Sequence, residues 1–185
     1  MNLELDVQYS EEVVSRRTPS PQQVERWVRV ALTGRRCGDV QLVVRIVGEQ
    51  ESAGLNSTYR GRSGPTNVLS FCYEDPELLT PPLLGDVVIC APLVDTEARE
   101  QRKEPLAHWA HLVIHGVLHL LGYDHEDDGD AEVMEGTERE LLALLGYPDP
   151  YAEASTGTVD QTATDRHARI AAGRTAGQFE TYSDR

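Results

Sequence analysis

Cysteine is sparse and scattered. Cys37, Cys72 and Cys90 are odd in number, far apart and form no CxxC pair, so neither a disulfide framework nor a thiolate zinc site is expected. Each reads as a small apolar residue in a reducing compartment. Long hydrophobic runs are missing as well: no window approaches the length of a membrane span. The start, MNLELDVQYS, alternates and carries acids, unlike the basic opening and apolar stretch of a secretory signal, so a cytoplasmic protein is expected. Basic charge is in short supply. Seventeen Lys and Arg face 31 Asp and Glu, and a net charge of −14 repels nucleic acid at long range. Neither DNA nor a membrane is an expected partner, and any RNA contact must be a local basic patch. Basic residues do gather at Arg16-Arg17, Arg35-Arg36, Arg60 with Arg62, and Arg102-Lys103, although each pair alone is accounted for as solvated surface.

What is present suffices for one domain. With 185 residues and 39% hydrophobic content, the chain can bury a core and carry one appendage, and it is too short for two large domains. Residues 3 to 9 alternate as a strand. Ser20 and Pro21 offer an N-cap and first-turn proline for a helix to about Leu32. QLVVRIVG, 41 to 48, reads as a strand, EQESAGLNSTYRG as a helix closing at Gly61, and RSGPT as a loop. Strands are expected at 67 to 73 and 85 to 94, joined by the proline-rich EDPELLTPPLL. Three helices follow: a short charged one capped by Asp95 or Thr96, one from Pro105 through Leu121, and one from about Asp128 to Leu145, stopped by Gly146 and Pro148. Met134 belongs on the apolar face of the last. Beyond that, large apolar residues thin out, so residues 1–150 are expected to form the domain and 151–185 a disordered, removable tail.

The helix after Pro105 carries histidines at 108, 111, 115 and 119. At about 100° per residue these fall in one stripe. A buried helix tolerates one hydrogen-bonded histidine, but HGVLHLLGYDH, residues 115 to 125, holds two at i and i+4 and a third after a helix-ending glycine. That spacing brings two ring nitrogens to one point while the turn swings the third over it. Three neutral imidazoles with an open fourth position describe a catalytic zinc; a structural zinc is usually closed by four protein ligands. His115, His119, Gly122 and His125 also keep the register of the protease signature H-E-x-x-H-x-x-G-x-x-H. The acid is missing. Gly116 stands where that glutamate would act as base, which disfavours proteolysis, and the vacancy is expected to leave room at the metal for a bulky anionic substrate.

Taken in order, LNSTYRG (55 to 61), PTNVLSF (65 to 71), GDVVI (85 to 89) and HGVLHLLGYDH resemble the YbeY family of bacterial endoribonucleases, over roughly residues 1 to 150. The resemblance implies a single α+β domain with a small mixed sheet and a metzincin-like zinc helix. It implies one Zn2+ per chain on His115, His119 and His125. It further implies single-strand-specific RNA cleavage in maturation of the 3′ end of small-subunit (16S) ribosomal RNA and in ribosome quality control, with ribosomal proteins or an assembly GTPase as partners. The family's functional arginine falls on Arg60, whose guanidinium suits a bidentate phosphate contact; a surface salt bridge is the plainer explanation. Asp124 is a candidate to orient a ligand histidine or to cap the next helix. Thr66, Asn67 and Ser70 are candidates for the RNA groove, or simply turn chemistry. Asp86 is expected to be structural.

Two other readings compete. DHEDDGDAEVME, 124 to 135, nearly matches a calcium loop, with Asp124, Glu126, Asp128, Gly129, Glu132 and Glu135 near ligand positions. Against it stand Glu126 and Ala131 at positions three and eight, and the absence of a paired loop. The acids are more simply the first turn of a helix, where negative charge suits the dipole. The other is a catalytically idle ribosome-assembly factor whose zinc only staples helix to loop.

Overall fold

In the computed structural model, which describes residues 2–13, 18–34, 38–73, 82–125, 127–152 and 181–182, local signals in the sequence become a helix-flanked sheet. The elements run β1 (Leu3–Tyr9), a 3-10 turn (Glu11–Val13), α1 (Pro21–Ala31), β2 (Val40–Val47), α2 (Glu49–Arg60), β3 (Val68–Cys72), β4 (Leu83–Cys90), α3 (Ala91–Glu100), α4 (Pro105–Leu120), α5 (Asp128–Leu145) and β5 (Thr181–Tyr182). The sheet order is β1-β2-β4-β3-β5. β1, β2 and β4 are parallel, with Leu3 opposite Val40 and Val44 opposite Val87, and β3 runs antiparallel to β4, Ser70 facing Val87. The result is an α+β domain with a small mixed sheet of four principal strands. The two-residue β5 pairs with Ser70 and Phe71 of β3, while the rest of the expected tail, 153–180 and 183–185, lies outside the described residues. No helix among the described residues is long and apolar enough to cross a membrane.

Local chemistry explains the helix starts. The Ser20 hydroxyl accepts from the Gln23 amide at 3.3 Å while the Gln23 side chain accepts from the Ser20 amide at 2.8 Å, a reciprocal cap with Pro21 just inside it. One boundary differs from expectation: β4 ends at Cys90, four residues earlier than the strand foreseen to Val94. Pro92 has no amide to give a ladder and its fixed φ suits a first helical turn, so α3 begins at Ala91. Asp95 and Thr96, expected as caps, lie inside that helix, with the Thr96 hydroxyl donating to the Pro92 carbonyl at 2.9 Å.

α4 is the axis of the core. Every residue from Ala107 to Leu120 is buried, between α1, β3, β4, α3 and α5. A helix apolar on all sides is expected only in such surroundings. Trp27, Ile46, Ile89, Leu112, Leu118 and Leu142 fill this layer, and Met134 is buried on α5 as expected. The opposite face of the sheet carries a smaller cluster of Val47, Leu69 and Val88, covered by Leu55 and Phe71. Cys90 is buried as foreseen, but Cys72, the last residue of β3, is exposed.

Candidate metal centre

Four histidines on a fully buried helix must each find a partner, because a buried polar group left without one is costly. They find different ones. His108 Nε2 lies 2.9 Å from Glu97 of α3, and His111 Nε2 lies 3.0 Å from Glu138 Oε2 of α5. His115 Nδ1 is 2.8 Å from the other Glu138 oxygen, and His119 Nδ1 is 2.9 Å from the Tyr123 carbonyl. Tyr123 reaches that position because α4 is closed by a chain reversal at Gly122. The Tyr123 amide donates to Leu118 and the Gly122 amide to His119, with Gly122 at φ +85°, a conformation that an L side chain would strain by about 1 kcal/mol. The same turn carries His125 over the helix end.

Those partners set the tautomers. A carbonyl oxygen only accepts, so His119 Nδ1 bears the proton. Glu138 also only accepts when ionised; burial opposes its charge, but hydrogen bonds from His111 and His115 hold its carboxyl below the ordinary carboxylate range. His115 Nδ1 therefore donates, and in the neutral rings both Nε2 atoms are bare lone pairs. They face each other at 3.0 Å. Two lone pairs at that distance repel unless a cation sits against them. The His125 ring stands 5.5 Å from that of His115 and 5.0 Å from that of His119, and one donor atom from each of the three lies within 4.8 Å of the others. The donor set thus fits a divalent metal ion bound by three imidazoles, of which His115 and His119 are buried and His125 is half-buried.

A second group, His111, His115 and Glu138, also meets the spacing for a metal. Its atoms are already joined by hydrogen bonds and Glu138 is 0% exposed, so it serves as the support of the first cluster. Glu138 was not singled out from the sequence. The signal that marks it is an acid on the buried face of α5, in the Met134, Glu138, Leu141, Leu142 stripe.

The other candidates scatter. Arg60 is the last residue of α2. Burial and then the charge of Arg62 lower its pKa, and no ion pair or hydrogen bond among the described residues engages its guanidinium. Ser70 is fully buried in β3, its hydroxyl donating to the Gly116 carbonyl at 3.1 Å, so it packs strand on helix rather than lining an open groove. Asn67 is a brace, accepting from the Val68 amide at 2.7 Å and donating to Glu97 at 3.3 Å. Thr66 exchanges backbone hydrogen bonds with the Ser52 hydroxyl. Asp124 accepts from the His125 amide at 2.6 Å; the cap of α5 is Asp127, which accepts from Gly129 and Asp130. Asp86 sits within β4, its pKa raised by burial and eased by the Tyr73 hydroxyl. The calcium loop does not form: Asp128 to Glu135 are already helical, and Glu135 pairs with Arg139 at 2.8 Å.

Gly116 answers to packing, not to the metal. A β-carbon there would lie 2.5 Å from Val87 Cγ1 of β4 and 3.3 Å from the Ser70 hydroxyl. The missing side chain makes room for the sheet, which corrects the expectation that it opens space for an anionic substrate.

Titration of the metal-free site has a direction. Burial, then the charges of His115 and His125, bring the His119 pKa from 6.5 to about 3. The fold refuses a proton that the unfolded chain accepts, so stability is full above pH 6.5 and falls as pH drops towards 3. Glu138 acts in the same sense below about pH 4.5. Urea unfolding of metal-free protein across this range should show that decline, and His119→Asn should flatten it. Equal slopes in both proteins would remove His119 as its source.

Comparison with known proteins agrees with this architecture. Residues 7–146 match the family model for Endoribonuclease YbeY. The chain is 52% identical over 158 residues to proteins named Endoribonuclease YbeY from Pseudomonas entomophila (strain L48) and from Pseudomonas putida (strain KT2440), covering 85% of this chain and 98% of each relative. Among solved structures it resembles the solution structure of TM1509 from Thermotoga maritima, with TM-score 0.52 and 25% identity over 80% of this chain and 99% of that one. A chain that carries converging imidazoles on a buried helix, and aligns with these proteins over nearly their whole length, belongs to the YbeY family of endoribonucleases.

Proposed function

We propose that this endonuclease is zinc-dependent, cuts single-stranded RNA, and acts in the cytoplasm in maturation of the 3′ end of small-subunit (16S) ribosomal RNA and in ribosome quality control. One observation carries the metal reading: the Nε2 atoms of His115 and His119, both stripped of protons by their partners, converge at 3.0 Å beside His125. Three neutral nitrogens suit zinc, and a site with three protein ligands would leave a coordination position for water or substrate. Zinc bound there supplies Lewis acidity and lowers the pKa of a water towards about 7. The chain's own residues do the rest. His115 is held by Glu138, His119 by the Tyr123 carbonyl, and Asp124 fixes the backbone that carries His125. Arg60, with no acid claiming it among the described residues, is available to grip a pair of non-bridging phosphate oxygens as negative charge builds on them.

Small-subunit ribosomal RNA is the substrate, and ribosomal proteins or an assembly GTPase would present it to a chain whose net charge of −14 gives little help from long-range attraction. Family membership favours this over the idle assembly factor. The test is metal content measured beside cleavage of matched single- and double-stranded RNA. About one zinc per chain and preferential single-strand cleavage are expected. No transition metal even after zinc addition would sink the zinc assignment, and equal cutting of duplex would sink the strand preference. Arg60→Lys should keep its zinc and cleave at least about tenfold more slowly, since an ammonium cannot make two parallel hydrogen bonds to phosphate. Wild-type rates in zinc-loaded Arg60→Lys would remove that role.

A further inference from the structure

We propose that Tyr151 positions the metal centre, acting through Glu138 on His115. The proposal rests on the zinc reading above. Tyr151 falls at the foreseen boundary between domain and tail, yet the chain after α5 folds back and brings it onto the buried support of the cluster. Its hydroxyl donates to Glu138 Oε2, the oxygen that also takes His111 Nε2 at 3.0 Å, while Oε1 takes His115 Nδ1 at 2.8 Å. One carboxylate thus gathers three donors, from residues 111 and 115 of α4 and from residue 151. With both oxygens tied, the carboxylate plane cannot rotate, and the direction in which His115 aims Nε2 is set with it.

Tyr151 is itself held on several sides. Its ring meets His111 edge-on at 5.5 Å between centroids, and the Arg139 guanidinium lies over it at 4.9 Å. Asp149 accepts from the Tyr151 amide at 2.9 Å and stands 3.5 Å from Arg139 Nε, tying the returning segment to α5. Pro148 and Pro150 stiffen that segment. A tyrosine that merely plugged a gap would need none of the hydroxyl geometry. Here the hydroxyl reaches the carboxylate that holds the ring of a metal-site histidine, so its loss should be felt at the metal while the ring's packing survives.

Outer partners of metal-bound histidines typically contribute about 10- to 100-fold to affinity. The zinc dissociation constant of the full chain, measured by competition with a chelating dye, should therefore rise about tenfold in Tyr151→Phe, which keeps the ring against His111 and Arg139. Glu138→Gln should lose at least as much. Tyr151→Phe combined with Glu138→Gln should lose little more than Glu138→Gln alone, because the hydroxyl acts only through the carboxylate. Thermal unfolding of the metal-free variants runs alongside. A fall in unfolding midpoint with a zinc constant within twofold of wild type would show a purely structural tyrosine and overturn the proposal. Additive losses in the double variant would overturn the route through Glu138. Wild-type protein that takes up no zinc would fail the metal reading itself, and the positioning role with it.

Discussion

His115→Ala is expected to lose the metal, the cleavage activity and part of the fold together. The ring serves two neighbours: Nε2 faces His119 at 3.0 Å, and Nδ1 donates to Glu138 at 2.8 Å. Removing it takes away one of the three proposed ligands and leaves Glu138 Oε1, in a side chain 0% exposed, without its donor. A buried charged acceptor so stranded costs about 2 kcal/mol or more, to which the cavity adds. His125→Ala makes the contrast. It removes a proposed ligand from a half-buried loop position, so zinc and activity should go while metal-free stability stays nearly unchanged. Zinc quantification, single-turnover cleavage and urea unfolding of both metal-free variants check this. Equal stability of the two would mean that the His115–Glu138 bond contributes nothing to the fold, and full zinc occupancy in either would remove that residue from the ligand set.

Gly116→Glu is expected to fail at folding, before any question of substrate arises. Its β-carbon would stand 2.5 Å from Cγ1 of Val87, a residue 0% exposed and branched at Cβ, with no flexible end to yield. Overpacking of this kind costs about 1–3 kcal/mol even for one methyl, and a carboxylate pressed into an apolar helix–sheet contact adds several more. The sum is comparable with the whole stability of a small domain, about 5–15 kcal/mol. Gly116→Ala should be milder, because about 1 kcal/mol of helix propensity offsets the clash, leaving a folded protein that unfolds earlier and still binds zinc. A folded, zinc-loaded Gly116→Glu protein with a wild-type midpoint would refute the packing account. If it were also inactive, the electrostatic reading of the missing acid would stand after all.

The histidine stripe and the turn that completes the cluster were legible because they are local. Helical periodicity alone brings residues 115 and 119 to one face, and a glycine three residues on predicts the reversal seen at Gly122. The same holds for Ser20 and Pro21 at the start of α1 and for the acids from Asp128, which proved to be a helix's first turn. What the sequence could not disclose is which distant groups these residues would meet. Glu138 reaches His115 across 23 positions and Tyr151 reaches His111 across 40, and neither separation carries a period. Gly116 was misread for the same reason: at the level of a motif its neighbour is the metal, but in the fold its neighbour is Val87, delivered by a strand nearly 30 residues earlier. Spacing along one helix is set by backbone geometry and survives any fold, so the sequence by itself determined the three imidazoles. The carboxylate that fixes the tautomer of His115, the strand that demands a glycine and the tyrosine that closes the support depend on how α4, α5 and the sheet pack, and only the tertiary structure decided them.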